Sequence, residues 1–180
     1  PAPLTITARN DSKVYGSMTT AGGISYSGGV AVSSGGFTVS GLIPGSNDNV
    51  MMVRLQSAGS LAGAPVNGGA TYSITPSNAS GPGLPNYTIT YVNGALTVTP
   101  APLTVTATAA SMVYGSAVPN LTYTYSGLVN YDSAATFTGA LSTTATNTAN
   151  VGSNYPISQA SLVATGNYAI TSFVPANVTI

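Results

Sequence analysis

Apolar and polar residues alternate along five short stretches of this chain. The apolar positions of these stretches are Leu4, Ile6 and Ala8; Tyr87, Ile89 and Tyr91; Leu96 and Val98; Leu103, Val105 and Ala107; and Val178 and Ile180. A period of two with one apolar side is typical of half-buried antiparallel strands. Turn-forming residues such as Asn93-Gly94 and Gly81-Pro82-Gly83 lie between the stretches. The pattern therefore predicts an all-β protein.

The chain contains two copies of one pattern, residues 1–99 and residues 100–180. The segment Pro-Ala-Pro-Leu-Thr that opens the first copy also opens the second, and Val-Tyr-Gly-Ser follows at position 14 and again at position 113. Self-similarity on the scale of a small domain indicates tandem modules. We expect each copy to be one domain, in contact with neighbouring repeats of the same chain.

Short strands with frequent turns favour a small antiparallel β-sandwich, of the Ig-like kind, for each copy. The junction between the copies carries Pro100 and Pro102, which restrict the backbone. We therefore expect the two modules to be arranged end to end. The alternative is a β-grasp-like module, which requires a short helix between strands, and residues 130–136 are the candidate for it.

The first copy carries an insertion at about residues 21–36. From Tyr15 to Ser40 is 25 positions, but from Tyr114 to Ser126 it is 12, so the first copy is 13 residues longer here. The Gly-Gly pairs of the insertion predict an added hairpin or meander. One interpretation is a neutral surface insertion, since loops accept added residues readily. The other is a binding loop whose ligand contacts are Tyr26, Val30 and Phe37 (all in or beside the insertion).

Charge is sparse, with three Lys and Arg, three Asp, no Glu and no His among 180 residues. No basic patch exists, so we expect no nucleic-acid partner. The longest apolar runs fall short of about 18 residues, so we expect no membrane insertion. Stability is expected to change little between pH 5 and 8, because few groups titrate there.

Candidate chemistry is scarce. Without His and Cys, the common Ser-His and Cys-His nucleophile arrangements cannot form. A nucleophilic Ser would need Lys13 as its base, and we expect Lys13 to be exposed beside Arg9 and Asp11. The turns at Ser46–Asn49 and Asn130–Asp132 offer oxygen ligands for Ca²⁺, but Asx-rich turns explain them better. We therefore expect no enzyme, no cofactor and no metal site.

Tyr123 and Tyr125 lie on one face of a predicted strand. Two tyrosines on one face can stack on sugars, although cross-strand packing is the commoner use. They are therefore further candidate ligand contacts. The sparse charge also leaves sheet edges poorly protected against pairing with other strands, which makes lateral self-association a further candidate role.

The order of motifs resembles the MBG repeat of the YGX type. The segments that carry the resemblance are Ala-Pro-Leu-Thr from Ala2 and Ala101, Val-Tyr-Gly-Ser from Val14 and Val113, Ser-Gly-Leu from Ser40 and Ser126, Asn-Tyr at Asn86 and Asn167, and the closing Gly94–Thr99. The second copy departs from it with Ala176-Asn177 in place of Gly94-Ala95. For the Tyr-Gly pair itself, we expect a buried ring followed by a tight turn.

The resemblance implies a bacterial, extracellular protein that is secreted or attached to the cell surface. Such repeats are similar to those of large filamentous-haemagglutinin-like exoproteins. We expect structural stalk or spacer repeats of an adhesin, which project a binding region and support cell adhesion or biofilm formation. The alternative is a module that binds a carbohydrate or host receptor through the insertion of the first repeat.

Overall fold

The computed structural model describes residues 1–180, which form two compact units, Pro1–Thr99 and Pro100–Ile180. Each unit consists of strands, turns and bends, with two single-turn 3-10 helices, Ala58–Ser60 and Leu84–Asn86, in the first. Neither helical segment has the length and apolar character that crossing a bilayer requires. The prediction of an all-β chain made of small sandwich modules is confirmed.

The first unit has eight strands in two sheets. They are β1 (Ala2–Ala8), β2 (Asp11–Val14), β3 (Val30–Ser33), β4 (Phe37–Ser40), β5 (Met52–Gln56), β6 (Tyr72–Ser80), β7 (Tyr87–Val92) and β8 (Gly94–Thr99). One sheet has the order β4-β1-β7 and the other has the order β2-β8-β6-β5-β3.

The second unit has nine strands in a related arrangement. They are β9 (Ala101–Ala107), β10 (Ala110–Ser111), β11 (Tyr123–Ser126), β12 (Thr136–Thr138), β13 (Ser142–Thr143), β14 (Asn154–Ser158), β15 (Val163–Thr165), β16 (Tyr168–Val174) and β17 (Ala176–Thr179). The sheet orders are β11-β9-β16 and β10-β17-β14-β13, with β12 and β15 as a separate pair.

The alternating apolar positions face the cores. Leu4, Ile6 and Ala8 of β1 are buried with Leu96 of β8, and these side chains from opposite sheets belong to one cluster. In the second unit Leu103 and Val105 are fully buried, and a cluster around Ile157 and Val178 closes the other part of the core. The alternation of apolar and polar residues therefore predicted correctly which side of these strands faces the core.

The strand pairing is mixed, whereas the alternation favoured antiparallel strands alone. β1 runs parallel to β7, β2 to β8, β9 to β16 and β10 to β17. The reason is that β7 and β8 do not form a hairpin at Asn93, since the chain crosses there from one sheet to the other. A side chain at Gly94 would lie 2.6 Å from the carbonyl oxygen of Ala8, so glycine permits this crossing.

The β-grasp alternative placed a helix at residues 130–136. The structure has a turn at these residues and no helix. The left-handed backbone at Asn130 and Tyr131, with φ of 56° and 60°, forms this turn. A short turn therefore carries the chain from β11 to β12.

The repeated Tyr-Gly pair forms a tight turn in both units. Gly16 and Gly115 have φ of 87° and 86°, and the amide of the following serine donates to the carbonyl two residues before the glycine. The expected burial of the ring is confirmed for Tyr15 and is wrong for Tyr114, which is 58% exposed. Both copies therefore share the turn, but only the first copy buries the tyrosine ring.

Candidate functional site

The insertion of the first copy is part of the packed unit. The side chains of Tyr26 and Phe37 are buried in the core cluster, and Val30 is half-buried at the start of β3. A Gly-Gly pair of the insertion closes a tight turn, since Ser27 and Val30 exchange two backbone hydrogen bonds as an antiparallel bridge. The strand that follows, β3, then pairs with β5. Tyr26 and Phe37 therefore contribute packing, and the exposed side chain of this strand is Val32.

The two candidate tyrosines of the second copy belong to an aromatic cluster. Tyr123 and Tyr125 lie on β11, and their ring centroids are 5.3 Å and 4.9 Å from that of Phe137 on β12. All three rings are half-buried. The hydroxyl of Tyr125 also accepts a hydrogen bond from the amide of Ala135 at 3.3 Å. Edge-to-face and tilted contacts at these distances stabilise the pairing of the surrounding segments.

A groove lies beside this cluster. It has a volume of about 500 Å³ and is lined by residues 118–121 and 139–143 together with Tyr123 and Ala145. None of these side chains is charged. Of the five candidate ligand contacts, only Tyr123 lines this groove. Sequence reasoning did not indicate the groove, because its two walls are about 20 residues apart in the chain.

Each unit contains one tyrosine hydroxyl bonded to one carboxylate. The hydroxyl of Tyr87 donates to Oδ2 of Asp48 at 2.7 Å, and the hydroxyl of Tyr168 donates to Oδ2 of Asp132 at 2.7 Å. Both rings are buried. Two of the three carboxylates of the chain therefore hold equivalent positions in the two units.

The same hydroxyls also bind backbone groups of the loop. The amide of Ile43 donates to the Tyr87 hydroxyl, and the amide of Val129 donates to the Tyr168 hydroxyl, both at 3.1 Å. Each tyrosine thus holds the segment after Ser-Gly-Leu against the core. The sequence signal was present: an Asp follows Ser-Gly-Leu, and Asn-Tyr recurs later, in both copies. No group of three or more Asp, Glu, His or Cys side chains lies together.

Lys13 is buried, and the expectation that it is exposed is wrong. Only 2% of the residue is exposed, although it lies in the polar segment Arg9 to Lys13. Its Nζ donates to the carbonyl oxygens of Ser17 at 2.8 Å and Leu61 at 2.6 Å. These carbonyls satisfy the amine in place of a carboxylate. Burial nevertheless lowers the pKa of Lys13 from its ordinary value.

The lowered pKa of Lys13 predicts a pH dependence of stability. Between the folded-state pKa and 10.5, the unfolded chain binds more protons than the folded chain. The free energy of unfolding should therefore rise with pH across this interval. In Lys13→Met this rise should be absent, as measured by urea unfolding at a series of pH values below 10.5.

Tyr26 gives the stability a second pH dependence, at higher pH. Burial and the charge of Asp11 raise the pKa of Tyr26, so stability should fall as the pH rises above 10. Since both proteins contain Tyr26, the difference between wild type and Lys13→Met isolates the lysine. Parallel pH profiles for the two proteins would contradict the assignment.

Two buried serines in the first unit differ in their hydrogen bonds. Ser57 and Ser60 are 2% and 1% exposed. The hydroxyl of Ser60 donates to the carbonyl of Ser57 at 2.6 Å, whereas the hydroxyl of Ser57 has no partner. A buried hydroxyl without a partner costs stability, since it has lost its bonds to water.

Replacement of these serines by alanine should have opposite effects. Ser57→Ala is expected to leave the free energy of unfolding unchanged or to raise it by up to about 1 kcal/mol, because it removes an unsatisfied group. Ser60→Ala should lower it by about 1 kcal/mol, because it removes a hydrogen bond. Urea unfolding of the two variants measures both. An equal loss in the two variants would show that the Ser57 hydroxyl does have a partner.

Comparison with known proteins identifies the family. A sequence model of the MBG domain (YGX type) matches residues 4–97 and again residues 103–179. Searches of curated proteins and of solved structures find no match to this chain. Because the two matches cover nearly all of the residues, the chain belongs to the MBG domain family of the YGX type and contains two consecutive members of it.

Proposed function

We propose that the chain is a stalk segment of a bacterial adhesin, secreted or attached to the cell surface, and that it carries mechanical tension. In this role it holds a binding region away from the cell and supports adhesion or biofilm formation. Two consecutive MBG domains fit a repeat segment of a surface protein. The almost uncharged, cysteine-free sequence agrees with an extracellular bacterial location.

The observation that carries the proposal is the parallel pairing near both ends of each unit. In the first unit β1 lies parallel to β7, and the last strand, β8, lies parallel to β2. The second unit repeats this with β9 beside β16 and β10 beside β17. The first and last strands of each domain are thus held by parallel neighbours.

Parallel pairing decides how a domain responds to tension along its chain. Parallel neighbours begin at the same end of a sheet, so a pull on the start of one and on the end of the other slides them past each other. All hydrogen bonds of the ladder then bear the load together. In an antiparallel pair pulled from its adjacent ends, the bonds break one after another. The MBG arrangement therefore suits a segment under tension.

Single-molecule stretching tests the proposal. The 180-residue chain is held by its two ends and pulled until it unfolds. We expect two unfolding steps, one for each unit, each releasing about 300 Å of chain. The load is borne in shear, so both steps should occur at high force.

A second attachment geometry supplies the control. Because the chain has no cysteine, Pro100→Cys and Ser126→Cys provide two unique handles at adjacent ends of the antiparallel pair β9 and β11. Both positions are exposed. Pulling through these handles should open the second unit at a lower force than pulling through the chain ends. Equal forces in the two geometries would contradict a role in carrying tension.

A further inference from the structure

The insertion strand of the first unit completes a sheet edge. β3 lies antiparallel to β5, with Val30 opposite Gln56 and Ala31 opposite Leu55. Ala31 is buried, while Val32, the next residue, is 64% exposed. A strand of small residues thus covers β5, with one face against the core and the other in solvent.

The second unit has the same edge without this strand. Tyr72 lies opposite Leu96 in the first unit, and Tyr155 lies opposite Val178 in the second, so β14 is equivalent to β6. β5 and β13 pair with these two equivalent strands, but β5 is covered by β3, whereas β13 is the edge of its sheet.

The register makes the equivalence exact at the level of residues. Gln56 pairs with Thr75, three residues after Tyr72, and Ser142 pairs with Ser158, three residues after Tyr155. Ser142 therefore occupies the position of Gln56. Ala140 lies two residues before Ser142, just outside β13, as Arg54 lies two residues before Gln56. In the first unit these two positions face Val30 and Val32 of β3.

A groove lies where β3 would lie. β13 is the last strand of its sheet, and the groove of about 500 Å³ runs between residues 139–143 and residues 118–121. This volume falls in the range of about 300–1,000 Å³ that is usual for ligand sites. Leu121 and Leu141 pack against the adjoining core cluster, so the floor is apolar.

We propose that this groove binds an extended, uncharged peptide segment of a partner protein, which adds to β13 as an antiparallel strand. Exposed sheet edges bind peptides in this way, with main-chain hydrogen bonds for affinity and alternate side chains for specificity. The first unit shows the chemistry that fits: in Val-Ala-Val-Ser of β3 the small apolar side chain of Ala31 is buried, while Val32 on the other face is exposed. The absence of charge in the groove disfavours charged segments, which would lose hydration without a partner.

The partner is a separate polypeptide and not a second copy of this chain. The segment of this chain with the fitting pattern is β3, which is already paired with β5 and buries Ala31. Moving it into another copy would open the edge of the first unit and expose its core. A free peptide segment carries no such cost.

Disulfide trapping with a synthetic peptide tests both the site and the register. The peptide is Gly-Val-Ala-Val-Ser-Ser, the sequence of residues 29–34, with cysteine in place of either Val30 or Val32. The full chain lacks cysteine, so Ser142→Cys and Ala140→Cys each introduce one unique thiol. Both positions are exposed, so folding should be retained.

The register determines which thiols can meet. Residues directly opposite in an antiparallel pair have Cα atoms about 4.5–5.5 Å apart, within the range for a disulfide. A slip of two residues adds about 7 Å along the strand and prevents the bond. We expect Ser142→Cys with the Val30-substituted peptide, and Ala140→Cys with the Val32-substituted peptide, to cross-link about tenfold faster than the crossed combinations.

The first unit provides the matched control. Gln56→Cys places an exposed thiol at the position equivalent to Ser142, but β3 already covers that edge. It should react with the peptides no faster than the crossed combinations do. Equal rates for matched and crossed pairs, or equal trapping at Gln56→Cys, would overturn the site. Rapid formation of protein dimers through Ser142→Cys in preference to peptide capture would overturn the assigned partner.

An unmodified chain gives a readout that does not depend on substitution. Addition of the unsubstituted peptide should shift the backbone amide resonances of residues 139–143 and leave those of β5 unchanged. Shifts spread over both units, or no shifts at all, would overturn the proposal.

Discussion

Gly127→Ala is expected to lower the free energy of unfolding of the second unit by about 3 kcal/mol. Gly127 follows β11 with φ of 109°, a conformation that costs an L-residue energy. A Cβ at this position would also lie 2.6 Å from the carbonyl oxygen of Pro102 in β9, the central strand of its sheet. Because that carbonyl belongs to backbone in a ladder, it cannot move away cheaply.

The same geometry is present in the first unit, so the effect should be repeated there. Gly41 has φ of 104°, and a Cβ there would collide with the carbonyl oxygen of Pro3. Urea unfolding of Gly41→Ala should therefore show the loss in the first unit. These contacts explain why Ser-Gly-Leu appears in both copies: the glycine lets the chain pass close over the opening strand of each unit.

Gly166→Ala measures the cost of a positive φ alone, without the steric collision that Gly127→Ala adds. Gly166 also has a positive φ, of 72°, but a Cβ there meets nothing within 4 Å. The substitution should cost only about 1 kcal/mol. If Gly127→Ala costs no more than Gly166→Ala, the close approach to Pro102 does not contribute to stability.

Local periodicity predicted which residues form the cores, but it did not determine which strands become neighbours. The alternation of Leu4, Ile6 and Ala8 indicates an inward face whatever strand lies alongside. The parallel partner of β1 is β7, more than 80 residues away, and that choice depends on packing across the whole unit. The crossing at Asn93 and Gly94 likewise resembles a hairpin turn when only the adjacent residues are considered.

The candidate ligand contacts show the same limit of sequence reasoning. Tyr26 and Phe37 flank glycine-rich segments, which is typical of surface loops, yet the structure places both rings in the core. The insertion is long enough to return over the sheet, and it covers the edge at β5. The second copy lacks this strand, and the groove lies beside β13.

Lys13 illustrates how a long-range contact overrides a local pattern. A lysine between Asp11 and Val14 in a polar segment is expected in solvent. The carbonyl of Leu61, 48 residues away, accepts a hydrogen bond from its amine and makes burial tolerable. No local feature of the sequence indicates that this carbonyl is available, because it belongs to a loop that is placed by the rest of the unit.

Tyr168→Phe is expected to lower the free energy of unfolding of the second unit by about 2 kcal/mol. The single proton of the hydroxyl goes to Asp132 at 2.7 Å, the shortest of its contacts, and hydrogen bonds to charged groups are stronger than neutral ones. The variant also leaves the amide of Val129 without the oxygen that accepts its hydrogen bond at 3.1 Å. Tyr87→Phe should cause a similar loss in the first unit through Asp48 and Ile43.

The control for both variants is Tyr131→Phe, since the Tyr131 side chain is fully exposed and its loss should change stability by less than about 0.5 kcal/mol. Urea unfolding of the three variants, with the two units assigned by which transition moves, measures the effect. Asp132→Asn keeps an acceptor oxygen but removes the charge, so it should cost less than Tyr168→Phe. If Tyr168→Phe behaves like Tyr131→Phe, the carboxylate is held by other groups. If it costs about 2 kcal/mol in each unit, the recurring Asn-Tyr motif is explained by one hydroxyl that fastens the loop after Ser-Gly-Leu to the core.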